Sequence, residues 1–500
     1  SDAILIDRGD LSREVPIEQI PAVQKMIIRR AKACTRKVYV ATNLLESMMT
    51  SPMPTRAEVN DIYNTLEDGA DGLVLAGETA IGQYPVKCAK MVVKVVQQFR
   101  RAKDKAKVPV PIRPSSFLDA VEPHGGCLVM RMREATEHID VEDLPTITVP
   151  ADDLTDVEQI ANGTFSPLSG FMDKDCLESV LESNRLPCGL AWTMPIILAV
   201  AKATADRLQK GDRVLLTSAE GLQHSVLDVS QTFSINTDRL VRNWFGTDAR
   251  THPGVARILA RGNHFLAGKV TLLQPLPMPS RRYELTPAQL RAVFAHKGWS
   301  RVVGFHSRNL VHRAHEAVQL AALERTHADG LLINPVVGKT EQGDFLPHVI
   351  LDGYRAMLDY GLYPPGKVVL ASFLTYPRFA GPREAVFTAI CRKNMGCSHF
   401  VVGRDHAGVG DFYGEHEARE LFDTLGDIGI EPVLFHSIGY DEEENRYVDV
   451  RLCKAAKPIS GSEIRRALKQ GETLPDWMMR SEVQDVVRAE QMLNGPLFQK

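Results

Sequence analysis

Phe305-His306-Ser307-Arg308-Asn309-Leu310-Val311-His312-Arg313-Ala314-His315-Glu316 is a strand running into a helix with polar groups crowded into the turn. Before the turn, Arg301-Val302-Val303-Gly304-Phe305 reads as a short buried strand. After it, Val311, Ala314, Val318, Ala321 and Ala322 recur on one face at helical spacing, which predicts a helix from about Leu310. Open α/β sheets bind ligands at such turns, beyond the carboxyl ends of the strands. The unpaired N–H groups of a first helical turn, with the positive end of the dipole, attract phosphate or sulfate. His312 and His315 are three apart, so both rings can lean over one anion. A bare pair at this spacing fits a plain helix surface equally well. Zinc fits less well, since zinc helices favour His at i and i+4 and no third ligand lies nearby in sequence.

A second apolar strand, His399–Val402, ends in Gly403-Arg404-Asp405-His406-Ala407-Gly408. A third element, Ile459-Ser460-Gly461-Ser462-Glu463-Ile464-Arg465, opens a late helix with hydroxyls and an Arg. From 277 to 438, candidate strands (Val302–Phe305, Leu331–Val336, Lys367–Ser372, His399–Val402, Pro432–Phe435) alternate with helices (Leu310–Ala328, Pro347–Tyr360, Gly381–Met395, Gly414–Gly429). Repeated βα units imply a mostly parallel, doubly wound α/β sheet. Residues 439–500 carry two more helical patterns, Ser462–Lys469 and Ser481–Leu493, and read as a small closing domain. Gly338-Lys339-Thr340 imitates the end of a P-loop, but that motif needs a Gly where Ile333 stands. No fused P-loop kinase is expected.

These motifs, in this order, resemble sulfate adenylyltransferase, also called ATP sulfurylase, over roughly residues 117–500. Pro123-His124-Gly125-Gly126, Phe165-Ser166-Pro167-Leu168-Ser169-Gly170-Phe171-Met172, His312-Arg313-Ala314-His315-Glu316, Ala380-Gly381-Pro382-Arg383-Glu384-Ala385 and Gly403–Gly408 carry the likeness. The resemblance implies a Rossmann-like nucleotidyltransferase domain at 277–438 behind a β-rich PUA-like domain at 117–276. In that second region the expected elements include strands Thr146–Val149 and Val214–Leu216 and helices Ala151–Ala161 and Thr193–Leu208. The implied reaction is ATP with sulfate to adenylyl sulfate and pyrophosphate, reversibly, in sulfur assimilation or oxidation. Mg2+ would arrive with ATP.

The resemblance also implies roles. Arg308 is the expected sulfate clamp, since a guanidinium fork matches two oxygens of a tetrahedral anion; the plain alternative is a surface Arg in a salt bridge. His306 and the backbone N–H of Ala407 are expected sulfate contacts. Ser307, Asn309, His312 and His315 join Arg308 as catalytic candidates. Asn309, Gly403, Arg404, Asp405 and His406 are expected at ATP, with Asp405 equally suited to capping or orienting a neighbour. Arg378 and Arg383 are second-tier, with solvated helix-end charge as the plain reading. The family usually has Gln-Thr-Arg-Asn-Pro where this chain has His306-Ser307-Arg308-Asn309-Leu310. A titratable ring near sulfate puts anion affinity or the favoured direction in doubt. Some relatives carry a CxxC zinc loop after the last sheet strand, but Ile438–Val448 has no Cys, so no structural zinc is expected. A homo-oligomer is expected.

Residues 1–104 differ. Ile4-Leu5-Ile6, Val38-Tyr39-Val40 and Leu73-Val74-Leu75 are buried-strand runs followed by helical patterns such as Ala22–Cys34 and Val86–Phe99. Arg8-Gly9-Asp10-Leu11, Ala41-Thr42-Asn43-Leu44-Leu45-Glu46-Ser47-Met48, Pro54-Thr55-Arg56-Ala57-Glu58 and Gly77-Glu78-Thr79-Ala80 resemble the last three units of the pyruvate kinase (β/α) barrel. Three units cannot close eight strands. The family's catalytic Lys and partner Glu would lie upstream of Ser1. Asp10, Thr42 and Glu78 are therefore read as vestigial, and the stretch as structural. Two rival readings stay open: a fusion active in a longer parent chain, and another transferase of the HxGH type. Residues 105–116, rich in Lys and Pro, read as a linker.

Five hundred residues exceed one core, so three or more domains are expected. A net charge of -3 gives no bulk case for nucleic acid or an anionic membrane. No apolar run approaches the roughly 18–20 residues a membrane helix needs. There is no signal peptide, and the chain opens Ser1-Asp2-Ala3 without Met, which leaves its natural start open. Eight scattered cysteines without a CxxC suggest reduced, mostly buried thiols in a cytoplasmic protein.

Overall fold

The computed structural model describes residues 2–105, 120–133, 139–338, 342–403 and 408–499. It divides into two compact units, Ser1–Phe117 and Leu118–Lys500. The expected linker lies almost wholly outside the described residues.

In the first unit, Ala3–Asp7, Lys37–Ala41 and Gly72–Val74 form a parallel sheet in chain order. Period-two alternation divides its faces. Ile6, Val38 and Val40 pack with Ile28 and Ala31 of helix Ile20–Ala33. On the opposite face Leu5 pairs in register with Tyr39, and Leu5 is 56% exposed. Helix Arg56–Glu67 starts where its sequence says, with Thr55 and Glu58 closing a capping box.

The second unit begins with a six-stranded, mostly antiparallel sheet carried by two long strands, Gln223–Ser234 and His264–Leu272. The run Thr193–Leu208 was expected to be one helix and is not. Leu198–Val200 is a strand antiparallel to His264–Leu266, followed by a single turn, Lys202–Ala205. Pro195 interrupts the run, and Ala191–Leu198 is buried throughout. A fully buried apolar strand and a buried helix look alike in sequence.

Five parallel strands follow, in the order Val368–Leu370, Gly330–Pro335, Val302–Ser307, His399–Val402, Glu431–Leu434. By position in the chain this order is 3-2-1-4-5, so it reverses between Val302–Ser307 and His399–Val402. That reversal is the switch point at which doubly wound sheets open a crevice. Both faces are covered, as parallel sheets require. Val302, Leu332, Phe400 and Val402 join one core with helix Pro382–Met395 and the preceding sheet. Val303, Phe305, Leu331, Ile333 and Val401 join another with helix Pro347–Asp359 and the closing residues Ile464, Leu468, Met479 and Val483. The closing region adds a small antiparallel sheet (Ile438–Asp441, Arg446–Asp449, Lys457–Pro458) and helices Gly461–Lys469 and Ser481–Asn494.

Two glycines matter to this arrangement. A Cβ on Gly330 would stand 2.3 Å from the Trp299 ring, and one on Gly304 would stand 2.9 Å from Arg392 Cγ. Gly304 thus opens the central strand to a buried guanidinium. All eight cysteines are free, but only Cys88, Cys391 and Cys397 are buried, which corrects the expectation of mostly buried thiols. Among the described residues no helix is long and apolar enough to cross a membrane.

Candidate active site

The central strand ends at Ser307, and the chain turns at once. The Ser307 hydroxyl accepts from the Asn309 N–H and donates to the Asn309 carbonyl, each at 3.0 Å. The hydroxyl thus closes the turn at the pocket wall. The next helix starts at Arg313, not near Leu310. Leu310 and Val311 are buried in the core, and His312 takes an extended conformation as N-cap. Its Nδ1 accepts from the His315 N–H at 3.4 Å, while the Arg313 N–H donates to the Met478 carbonyl at 3.0 Å. A side-chain cap and an outside carbonyl replace the missing first turn.

The two rings stack at 3.7 Å between centroids, and the Phe305 ring meets His315 edge-on at 5.5 Å. Burial drives both histidines toward neutrality, His315 to about 4 and His312 well below the ordinary value, with the neighbouring ring adding to the effect on His312. A neutral His312 whose Nδ1 accepts carries its proton on Nε2. His315 lines a pocket of about 260 Å³, and its buried Nδ1 has no hydrogen-bond partner among the described residues.

His306, Ser307, Arg308, Asn309 and Gly403 line the same pocket. It lies between the two strand ends at the switch point. Arg308 is half-buried and lies over the Phe379 ring at 5.8 Å. No ion pair among the described residues involves it, and Asp405 of the second motif lies outside them. Asn309 Oδ1 accepts from Arg465 Nη2 at 2.7 Å, so the amide NH2 keeps its two donors. Arg465 stood in the third motif without a role; the fold brings it to the first. Glu316, within the HRAHE stretch, serves the scaffold: Arg480 holds it at 2.6 Å and Arg313 at 3.1 Å. Arg404, Asp405, His406 and Ala407 lie outside the described residues.

Sequence reasoning missed Arg392 and Phe379. Arg392, wholly buried, reaches beneath the sheet to place Nη2 2.8 Å from His306 Nδ1 and stacks on the Phe373 ring at 4.3 Å. Its signal was a cation amid a helix buried all round. Arg378 and Arg383 are not solvated helix-end charges. Arg378 is 4% exposed and paired with buried Asp156. Arg383 donates to the carbonyls of Val180, Leu181 and Thr193, and burial lowers it to about 10. Both brace the loop rather than face the pocket.

In the first unit, the Asp10 side chain is 74% exposed and pairs with Arg13 at 3.4 Å. Thr42 donates to Asp7 at 3.0 Å, and Glu78 accepts from the backbone of Leu44, Leu45 and Ala76. Glu78 in particular acts as a loop clamp.

Residues 281–490 match the ATP-sulfurylase family, 121–275 a PUA-like domain and 1–89 the pyruvate kinase barrel domain. The sulfate adenylyltransferase of Symbiobacterium thermophilum is 40% identical over 379 residues, covering 73% of this chain and 95% of that protein. Those of Thermococcus onnurineus and Pyrococcus abyssi are 38% and 39% identical over 376 residues, each covering 74% of this chain and 97% of the relative. A solved structure titled hexameric APS kinase from Thiobacillus denitrificans shares the fold, with a TM-score of 0.58 at 23% identity over 75% of this chain and 69% of that one. With a strand-end pocket of Arg, Asn and His at the switch point and relatives matched over nearly their whole length, this chain belongs to the sulfate adenylyltransferase family, and a stretch of pyruvate kinase barrel precedes that region.

Proposed function

We propose that the chain joins ATP and sulfate reversibly into adenylyl sulfate and pyrophosphate, and that the pocket between Ser307 and Gly403 is where it does so. A sulfate oxygen attacks the α-phosphorus; the bond from that phosphorus to the bridging oxygen breaks, and pyrophosphate leaves with the electron pair. A dianion must approach a polyanion, so fixed donors and positive charge carry most of the catalysis. The observation that carries the reading is the pocket wall itself: Arg308, Asn309 and His315 meet Gly403 where the two strand ends diverge. In this reading Arg308 grips sulfate. The Asn309 amide, oriented by Arg465, donates to a phosphate oxygen. His312 and His315, stacked on one another and kept neutral by burial, are assigned to the transferring and leaving phosphates, with His315 on the pocket wall. Gly403, with Arg404, Asp405 and His406, belongs to the ATP strip, and the Ala407 N–H to sulfate. Ser307 supports the turn.

Among the described residues no three His, Cys, Asp or Glu side chains gather as a metal cage. In this reading Mg2+ arrives on the phosphates of ATP, as the family resemblance implies. The reading keeps the divisions 1–104, 105–116, 117–276, 277–438 and 439–500, with a cytoplasmic homo-oligomer that sedimentation would test. The barrel stretch contributes structure in this reading; phosphoenolpyruvate-dependent ATP formation abolished by Asp10→Ala would overturn that.

Sulfate-dependent exchange of pyrophosphate into ATP tests the whole. Arg308→Ala should lower turnover by about 10²-fold, as loss of one transition-state donor does. His312→Asn keeps a capping oxygen but removes the Nε2 donor, so it should cost activity while leaving the helix start intact. Near-normal exchange in both variants would remove these roles, and exchange without sulfate would point to another acceptor.

A further inference from the structure

Phe379 has a backbone φ of +60°, in the left-handed region that large L side chains avoid, and its ring lines the pocket. Contacts on both sides hold it there. The Glu384 carboxylate spans the residue, accepting from the Arg378 N–H at 3.1 Å on one side and the Ala380 N–H at 3.0 Å on the other. The Tyr413 hydroxyl donates to the Phe379 carbonyl at 3.0 Å and lies 3.2 Å from His252 Nε2. Arg378 anchors the loop from below on Asp156, and Arg257 Nη1 donates to the Pro377 carbonyl at 2.9 Å. Next door, Gly381 sits at φ +50°, and a Cβ there would meet the Tyr413 ring at 2.6 Å, so the anchor has no room to shift.

Such over-determination of a strained residue occurs where the surroundings need its side chain in one place. Here that place is beneath Arg308. The guanidinium groups of Arg308 and Arg257 each lie 5.8 Å from the ring centroid. Arg257 also lies over the Tyr376 ring at 5.3 Å. Phe379 thus presents a rigid aromatic platform to a long side chain that no carboxylate among the described residues holds. A cation held over a ring keeps N–H donors for an anion, which a salt bridge would consume. The platform also limits how many rotamers Arg308 must give up when the anion binds.

We propose that Phe379 is a positioning residue for the anion site: its clamped left-handed backbone holds the ring that pre-sets Arg308 for sulfate. The proposal rests on the reading that Arg308 grips sulfate, and the experiment separates the two. In the full chain, initial rates of adenylyl sulfate formation are measured against sulfate and against Mg-ATP for Phe379→Leu, Phe379→Tyr, Tyr413→Phe and Arg308→Ala. Phe379→Leu should raise sulfate KM about tenfold, the scale of losing a partly desolvated cation–ring contact and its pre-organisation, with Mg-ATP KM within about twofold. Phe379→Tyr keeps the platform and should restore sulfate KM to within about threefold of wild type. Tyr413→Phe removes only the hydroxyl on the Phe379 carbonyl and should shift sulfate KM the same way, by about threefold. Should Phe379→Leu fail to fold, Tyr413→Phe decides by the same ratio. Unchanged sulfate KM, or equal rises in both KM values, would overturn the proposal. If Arg308→Ala itself binds sulfate normally, the underlying reading falls first. If Arg308→Ala loses sulfate and Phe379→Leu does not, only the platform falls.

Discussion

His306 stands where relatives are expected to carry an amide, and its partner decides what it can do. Arg392 Nη2 is 2.8 Å from His306 Nδ1, and a guanidinium can only donate. Nδ1 must accept, so the ring's proton belongs on Nε2, and a second proton would face N–H against N–H. In a neutral ring of that tautomer one nitrogen is a fixed donor, as a Gln amide is. A sulfate affinity tuned by protonating this ring is therefore disfavoured. We expect sulfate KM to follow the same course in wild type and His306→Gln between about pH 5.5 and 8, the range in which a His switch would act. A slope in wild type that His306→Gln flattens would restore the titrating role. Arg308, Asn309 and His315 were legible because one motif carries all three through a strand end. Arg392 was not: only the sheet brings positions 306 and 392 together, and Gly304 makes the space.

Helix Pro382–Met395 shows how one element ties the pocket to the domain before it. Glu384 through Met395 are all buried, so no amphipathic stripe marked its orientation, although its extent could be read within a residue. Its final turn is a staple. Asn394 Oδ1 accepts from the His124 N–H at 2.8 Å, and Nδ2 donates to the Thr164 and Ser166 carbonyls at 2.9 Å each. Lys393 Nζ donates to the Ile428 carbonyl at 2.7 Å and approaches His124 Nδ1 at 3.3 Å. Burial first, and then the Lys393 charge, lower His124 to about 4. The unfolded chain takes up this proton from about pH 6.5 downward, while the folded chain resists it to about 4. Stability should therefore fall as pH drops through that window, by about 1.4 kcal/mol per pH unit for this group. Denaturant midpoints of wild type and His124→Gln should converge as pH falls from 6.5 to 4, since other groups titrate in both. Parallel curves would mean that His124 is not held neutral. The motif Pro123–Gly126 was visible in sequence; its partners, some 270 positions away, were not. The opposite failure occurred at Thr193–Leu208, where apolar residues without a period could not distinguish a buried strand from a helix.

At the scale of the whole molecule, the two units differ in how completely their sheets are enclosed. The five-stranded sheet has its central strand paired on both sides and a core on each face. The three-stranded sheet has two edges for one interior strand, and its helix-covered face contributes two small clusters. The other face leaves Leu5 56% and Val74 37% exposed, and Ile81 beyond it is 78% exposed. Exposed strand edges and a thin core lower the free energy of local opening, which amide exchange reads directly. We expect amides of Lys37–Ala41 to exchange faster than those of Val302–Ser307 by about two orders of magnitude or more, corresponding to roughly 3 kcal/mol of opening free energy. The comparison is internal to one sample, so solution conditions cancel. It also discriminates causes. If the uncovered face is responsible, raising protein concentration should leave the difference intact; protection that grows with concentration would mean that a second copy covers Leu5 and Val74. Equal protection of the two strands in dilute solution would show that three βα units suffice to bury their own core.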